Sequence, residues 1–299
     1  PLARGAPQRG VAVAVASVPA ERGACMWALH RCCARSTLWP RLSTAARAPS
    51  LVRVCNGRAP RMATSSGAGV GDKLSAVRER MAKASEQASP PAEVRLVAVS
   101  KTKPVELLRE AYEAGQRVFG ENYVQELQEK APQLPEDIEW HFVGHLQSNK
   151  CNQLLLQVPN LAMVETVDNE KLARFLNRAC DNAGRARPLD VMLQVNTSGE
   201  ESKSGVAPGE EARALARYVR ESCPRLRLVG LMTIGMPDYT SRPENFDCLR
   251  RCRHEVAEEL GLEAASLGLS MGMSGDFEAA IRMGSTNVRV GSTIFGARG

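Results

Sequence analysis

From residue 70 onward the chain alternates between two rhythms. Short, β-branched, apolar runs are followed by longer stretches whose apolar residues recur every three or four positions. The runs read as strands are Arg95–Ser100, Arg117–Gly120, Glu139–Gly144, Leu161–Thr166, Leu189–Asn196, Arg227–Ile234, Ala265–Met271 and Asn287–Phe295. The helical period covers Lys73–Gln87 ahead of the first strand, then Pro104–Ala114, Tyr123–Lys130, Asn149–Gln157, Asn169–Ala183, Pro208–Ser222, Pro243–Leu260 and Asp276–Met283.

Strands separated by helices predict a parallel sheet, because parallel neighbours need crossover connections. Eight such units in about 230 residues fit an α/β protein folded as a single closed (β/α)8 TIM barrel. An open doubly wound sheet is the alternative. No Gly-x-Gly-x-x-Gly follows the first strand, where a dinucleotide-binding sheet would place one. Gly115, Gly184 and Gly261 each follow a helical run and suit a left-handed C-terminal cap.

Charge divides the chain rather than describing it. The net charge is +6, but residues 1–61 hold ten Arg, no Lys and a single acidic residue, Glu21, so the remainder is slightly acidic. With no basic patch studded by aromatics, nucleic acid is not an expected partner. The longest apolar run near the start, Val11–Val18, is too short to cross a bilayer, and no membrane partner is expected. The Arg-rich, acid-poor beginning reads either as a mitochondrial transit peptide or as upstream sequence ahead of a start at Met62. Residues 1–69 are expected to be a disordered leader and 70–299 the barrel. Nine Cys are scattered without a Cys-x-x-Cys pair. Cys248 and Cys252, with His254 nearby but off their face, read as buried thiols rather than metal ligands. The odd number of Cys in the body indicates a reducing, cytoplasmic setting, mitochondrial if the leader is a transit peptide.

In a TIM barrel the chemistry lies at the C-terminal ends of the strands. There, Lys101 follows the apolar run Leu96-Val97-Ala98-Val99. A lysine where an apolar core meets a pocket is biased toward its neutral amine, which can condense with an aldehyde. The plainer reading is a solvated lysine ending the strand. After strand seven comes Ser274-Gly275-Asp276, and strand eight carries Arg289-Val290-Gly291-Ser292-Thr293. Small residues and a helix start in these two loops suit a phosphate; an ordinary cap at Ser274 and a glycine turn are the alternative. Asn122 follows strand two. Arg289 shares strand parity with Gly291, so it can face a ring nitrogen and keep it unprotonated, or form a buried ion pair, for instance with Glu121. A Schiff-base lysine opposite a phosphate loop describes pyridoxal 5'-phosphate (PLP).

At these positions the sequence resembles a known family. The motifs are Val97-Ala98-Val99-Ser100-Lys101-Thr102-Lys103-Pro104, Phe119-Gly120-Glu121-Asn122-Tyr123-Val124-Gln125-Glu126, His141-Phe142-Val143-Gly144-His145-Leu146-Gln147, Asn196-Thr197-Ser198-Gly199-Glu200-Glu201-Ser202-Lys203, Gly230-Leu231-Met232-Thr233-Ile234-Gly235, Ser270-Met271-Gly272-Met273-Ser274 and Gly284-Ser285-Thr286-Asn287-Val288-Arg289-Val290-Gly291-Ser292. In this order, over about 70–299, they are similar to the pyridoxal phosphate homeostasis proteins, also called PLP-binding or proline synthase co-transcribed homologues, of the mammalian type. The resemblance implies fold type III PLP architecture, like the N-terminal barrel of alanine racemase. It assigns the Schiff base to Lys101 rather than Lys103, phosphate contacts to Ser274, Gly291 and Ser292, and the pyridine nitrogen to Arg289. Gly275 departs from the Ala or Asp of many members but stays small.

The family implication is a PLP carrier or regulator of PLP supply without established catalysis, with apo PLP-dependent enzymes as candidate partners. A PLP-dependent racemase-like enzyme is the alternative. Racemisation needs proton transfer on both cofactor faces, and Tyr112, Tyr123, Tyr218 and Tyr239 are the only tyrosines. No β-rich second domain is expected, so a monomer is the expected state. A Schiff-base aldolase without cofactor would not need Arg289 or the Gly291-Ser292 loop.

Overall fold

A computed structural model describes residues 69–88, 93–200, 204–234 and 243–297. The expected leader up to Ala68, together with Lys203 and Tyr239, lies outside the described residues.

Eight parallel strands close into one barrel in sequence order: β1 (Arg95–Val99), β2 (Val118–Glu121), β3 (Glu139–Phe142), β4 (Leu161–Val167), β5 (Leu189–Gln194), β6 (Leu226–Met232), β7 (Gly268–Met273) and β8 (Asn287–Val290). The barrel shuts where β1 meets both ends of the sheet. Ala98 pairs with Phe119 of β2, and Arg95–Ala98 run beside Asn287–Val290 of β8. Helix α1 (Val70–Glu86) precedes the sheet. The outer ring is α2 (Val105–Glu113), α3 (Val124–Lys130), α4 (Cys151–Gln157), α5 (Glu170–Asn182), α6 (Glu210–Ser222), α7 (Pro243–Glu259), α8 (Phe277–Arg282) and a one-turn α9 (Ser292–Phe295).

Two apolar layers hold this together. The larger lies between strands and helices, where Leu96 and Ala98 meet Phe119 and Trp140, whose rings are 5.8 Å apart. Inside the barrel a separate methionine cluster, Met163, Met192 and Met232, packs with Val229. Helix α5 shows the local logic. The Asn169 side chain accepts from Leu172 N–H at 2.8 Å and caps the helix, and Leu172, Ala173, Leu176, Ala179 and Cys180 form its buried face. Such a cap stabilises by about 1 kcal/mol. Gly115, Gly184 and Gly261 all take positive φ just beyond helices, as their positions required.

Several boundaries differ from expectation, and three of them have a visible local cause. The last strand stops at Val290 instead of reaching Phe295. Its neighbour β1 ends at Val99, so no ladder partner continues, and the chain turns at Gly291 (φ −120, ψ −71) into α9. Strand β7 begins at Gly268, because Ala264–Ser266 form a 3-10 turn closed by Ser266 Oγ donating to Glu263 O at 2.7 Å. The α-helical part of Asn149–Gln157 starts at Cys151, after a 3-10 turn over Ser148–Lys150.

Candidate active site

At the C-terminal ends of the strands a cavity of about 540 Å³ opens. Its lining brings together Lys101, Asn122, Ser274, Arg289, Gly291 and Ser292, which the sequence reading had singled out. Val99, Lys103, Val143, Ile234, Met273, Gly275, Thr293, Gly296 and Ala297 complete it. The lining includes three cationic side chains and no carboxylate among the described residues. A field of one sign at the end of a low-dielectric barrel attracts an anion.

Lys101 leaves β1 half-buried. The next residue, Thr102, is in the left-handed region at φ 60, where a β-branched side chain is strained. Three charged residues hold the surrounding backbone. Lys130, at the end of α3, donates to Ser100 O at 2.9 Å and to one carboxylate oxygen each of Glu121 and Glu126 at 2.7 Å. Glu126 accepts the Thr102 N–H at 2.8 Å, and Glu121 accepts the Ser100 hydroxyl at 2.7 Å. Burial pushes the Glu121 carboxyl up, and Lys130 and Ser100 pull it partly back.

Arg289 extends from β8 and is 5% exposed. It donates at 2.6 Å to the Ser270 hydroxyl and at 2.6 Å to Thr233 O. Ser270 passes its own hydrogen to Glu165 at 2.6 Å, and His141 Nδ1 meets the other oxygen of Glu165 at 2.7 Å. Burial alone would raise the Glu165 carboxyl, but His141, Arg289 and Ser270 outweigh it and hold it low. The ion pair suggested between Arg289 and Glu121 is therefore corrected. Glu165 lies 3.9 Å from Arg289, with Asp276 as a second carboxylate acting on it, whereas Glu121 is paired with Lys130.

Beside the end of β1, Gly291 N–H donates to Ser274 Oγ at 3.2 Å, which links the loops after β7 and β8. A Cβ at Gly291 would sit 3.0 Å from Val99 O, so a side chain there crowds β1. Lys103 donates to Ala297 O at 2.5 Å across the rim. Asn122 has its Oδ1 buried without a partner among the described residues. Its backbone packs directly against Gly144, where a Cβ would come 2.1 Å from Asn122 O.

Sequence reading missed the polar row His141, Glu165 and Ser270 behind Arg289. The available signal was polar letters inside otherwise apolar runs of a sheet buried on both faces.

The alanine racemase N-terminal domain family matches residues 73–299. A Mus musculus relative, named pyridoxal phosphate homeostasis protein, is 51% identical over 242 residues, 77% of this chain and 87% of its own length. The solved structure of PipY from Synechococcus elongatus PCC7942 with PLP bound is 31% identical, with a TM-score of 0.59 over 76% of this chain and 100% of that one. Alanine racemase from Corynebacterium glutamicum shares the fold at 16% identity and a TM-score of 0.55, over 75% of this chain and 61% of its own. With its barrel, its cationic cavity and these relatives, the chain belongs to the pyridoxal phosphate homeostasis proteins and carries the alanine racemase N-terminal fold.

Proposed function

We propose that this chain binds PLP in the cavity at the barrel mouth, through a Schiff base to Lys101, and serves intracellular PLP homeostasis as a carrier without turnover. The observation that carries this is that Lys101 and the Gly291-Ser292 turn, at the ends of the neighbouring strands β1 and β8, line one cavity whose ionisable lining among the described residues is wholly cationic. The PLP-bound PipY structure and the name of the mouse relative support it. The residues present fit the cofactor. Ser274, Ser292 and Thr293 supply hydroxyls, the N–H groups of Ser292 and Thr293 open α9 ahead of the Ile294 and Phe295 N–H groups that donate to Gly291 O, and the orphaned Asn122 Oδ1 can take a donor from a ligand.

When bound, PLP supplies an aldehyde, a dianionic phosphate and an electron-withdrawing ring. Lys101 would supply the amine for the aldehyde. Gly291, Ser292 and Ser274 would hold the phosphate. Arg289, fixed by Ser270 and Thr233, would face the ring nitrogen and keep it unprotonated, which would weaken the ring as an electron sink.

The same geometry favours a carrier over a racemase. Among the described residues no tyrosine, histidine, cysteine or carboxylate lines the cavity, and Lys103 is engaged with Ala297 O. Tyr112 donates to Asp137 and Tyr123 is 54% exposed, outside the lining. Among the described residues no second-face acid lines the cavity, and Tyr239 lies outside them. We further propose residues 70–299 as the PLP-binding unit, a monomeric state, apo PLP-dependent enzymes as recipients, and a cytoplasmic setting. The described cysteines, Cys151, Cys180, Cys223, Cys248 and Cys252, are all unpaired thiols, as a reducing compartment keeps them. No described helix is long and apolar enough to cross a membrane.

The test is borohydride reduction of the purified yellow protein followed by peptide mapping. The adduct is expected on Lys101. An adduct solely on Lys103 or Lys203 would overturn the assignment.

A further inference from the structure

Lys101 takes part in two peptide units, and one ion pair grips both. The carbonyl of the 100–101 peptide accepts from Lys130 Nζ at 2.9 Å, and the N–H of the 101–102 peptide donates to Glu126 at 2.8 Å. Lys130 and Glu126 themselves meet at 2.7 Å, so a single bridge closes over the lysine's backbone. Glu121 anchors it from below, accepting from Lys130 and from the Ser100 hydroxyl, each at 2.7 Å.

This arrangement is costly in itself. Lys130 is 6% exposed and Glu121 fully buried. Buried ion groups of this kind are often replaceable by apolar residues with no loss of stability. An apolar trio, however, could neither donate to Ser100 O nor accept from Thr102 N–H. Thr102 needs such a restraint, since its φ of 60 is unfavourable for a β-branched residue and persists only where surrounding bonds enforce it.

We propose that Lys130, acting with Glu121 and Glu126, is a positioning residue that locks the strained turn carrying Lys101, so that the amine is presented to the cofactor aldehyde. This rests on the PLP reading above. The bridge does not touch the phosphate loops after β7 and β8, so it governs the covalent link and not the hold on the phosphate.

Two quantities separate these roles: total PLP released on denaturation, and the share of that PLP fixed to Lys101 by borohydride. In Lys130→Met the fixed share is expected to fall roughly 10-fold, the scale on which one strained backbone conformation counts, while total PLP falls far less. Glu126→Ala removes the acceptor for Thr102 N–H at a position with a 26% exposed side chain, where folding tolerates change, and is expected to lower the share about 3-fold. Adding Thr102→Gly to Lys130→Met should recover part of the loss, because glycine adopts positive φ without strain. A bridge that only stabilised the fold would lower the melting temperature and total PLP together and leave the fixed share unchanged. That result in Lys130→Met overturns the proposal, as does a wild-type share in Glu126→Ala should Lys130→Met not fold. If the unmutated protein itself yields no adduct on Lys101, the underlying assignment fails instead.

Discussion

Glu165 and Arg289 lie 3.9 Å apart inside the barrel, and the Ser270 hydroxyl joins them by accepting from the guanidinium and donating to the carboxylate. Glu165 is fully buried, and its carboxyl is held below the ordinary 4.5 because its partners outweigh burial. A carboxyl depressed in the folded state stabilises above its unfolded value and ceases to do so as pH falls through the folded one. We expect Glu165→Gln to cost about 3–5 kcal/mol at neutral pH, the scale for breaking a buried pair. The difference from the unmutated protein should shrink as the pH drops below about 4.5, in urea unfolding measured over a pH series.

Lys101→Ala should abolish the covalent link without removing all PLP affinity, since Gly291, Ser292 and Ser274 are untouched. Equilibrium dialysis checks this. Complete loss of binding would show that the phosphate loops contribute little.

On the proposed reading, Arg289→Glu places a carboxylate where a guanidinium would oppose protonation of the ring nitrogen. The absorbance spectrum should change and cofactor retention weaken, with no turnover gained. The companion measurement is deuterium exchange into alanine and serine by the unmutated protein. Exchange on the order of 1 s⁻¹, ordinary for an enzyme, would overturn the carrier reading.

Gly144→Ala puts a Cβ about 2.1 Å from Asn122 O, so the backbone must move. We expect a loss of about 1–3 kcal/mol, typical of overpacking, with weaker PLP binding as Asn122 shifts. Thermal melts with and without PLP should show a reduced cofactor-induced shift.

Burial pushes the thiols of Cys151 and Cys252 up to about 12 and that of Cys180 to about 11. They remain protonated and shielded at neutral pH, and a thiol is nucleophilic as its thiolate. Alkylation of the native protein, read by peptide mapping, should mark the half-buried Cys248 well before these three.

The barrel was legible because its strands are short, largely apolar runs separated by helical stretches, as in Leu96–Val99 and Val191–Leu193. Six of the fifteen residues lining the cavity were legible because strand ends point to one face. What the sequence did not disclose depends on neighbours distant in the chain. The end of β8 is set by where β1 stops, and Arg289 lies near Glu165 whereas Glu121 is paired with Lys130. The strain at Thr102 and the bridge over Lys101 are likewise invisible until β1, β2 and α3 are assembled.

The seam between β1 and β8 also sets when the protein becomes competent during its own synthesis. Lys101 and Gly291 stand on the first and last strands, so the two halves of the cavity meet only after β8 has left the ribosome and paired with β1. Long-range closure of this kind comes late in folding. On the proposed reading, a chain lacking β8 and the turn after it has neither Arg289 nor the Gly291-Ser292 pair, so cofactor capture is a property of the closed barrel.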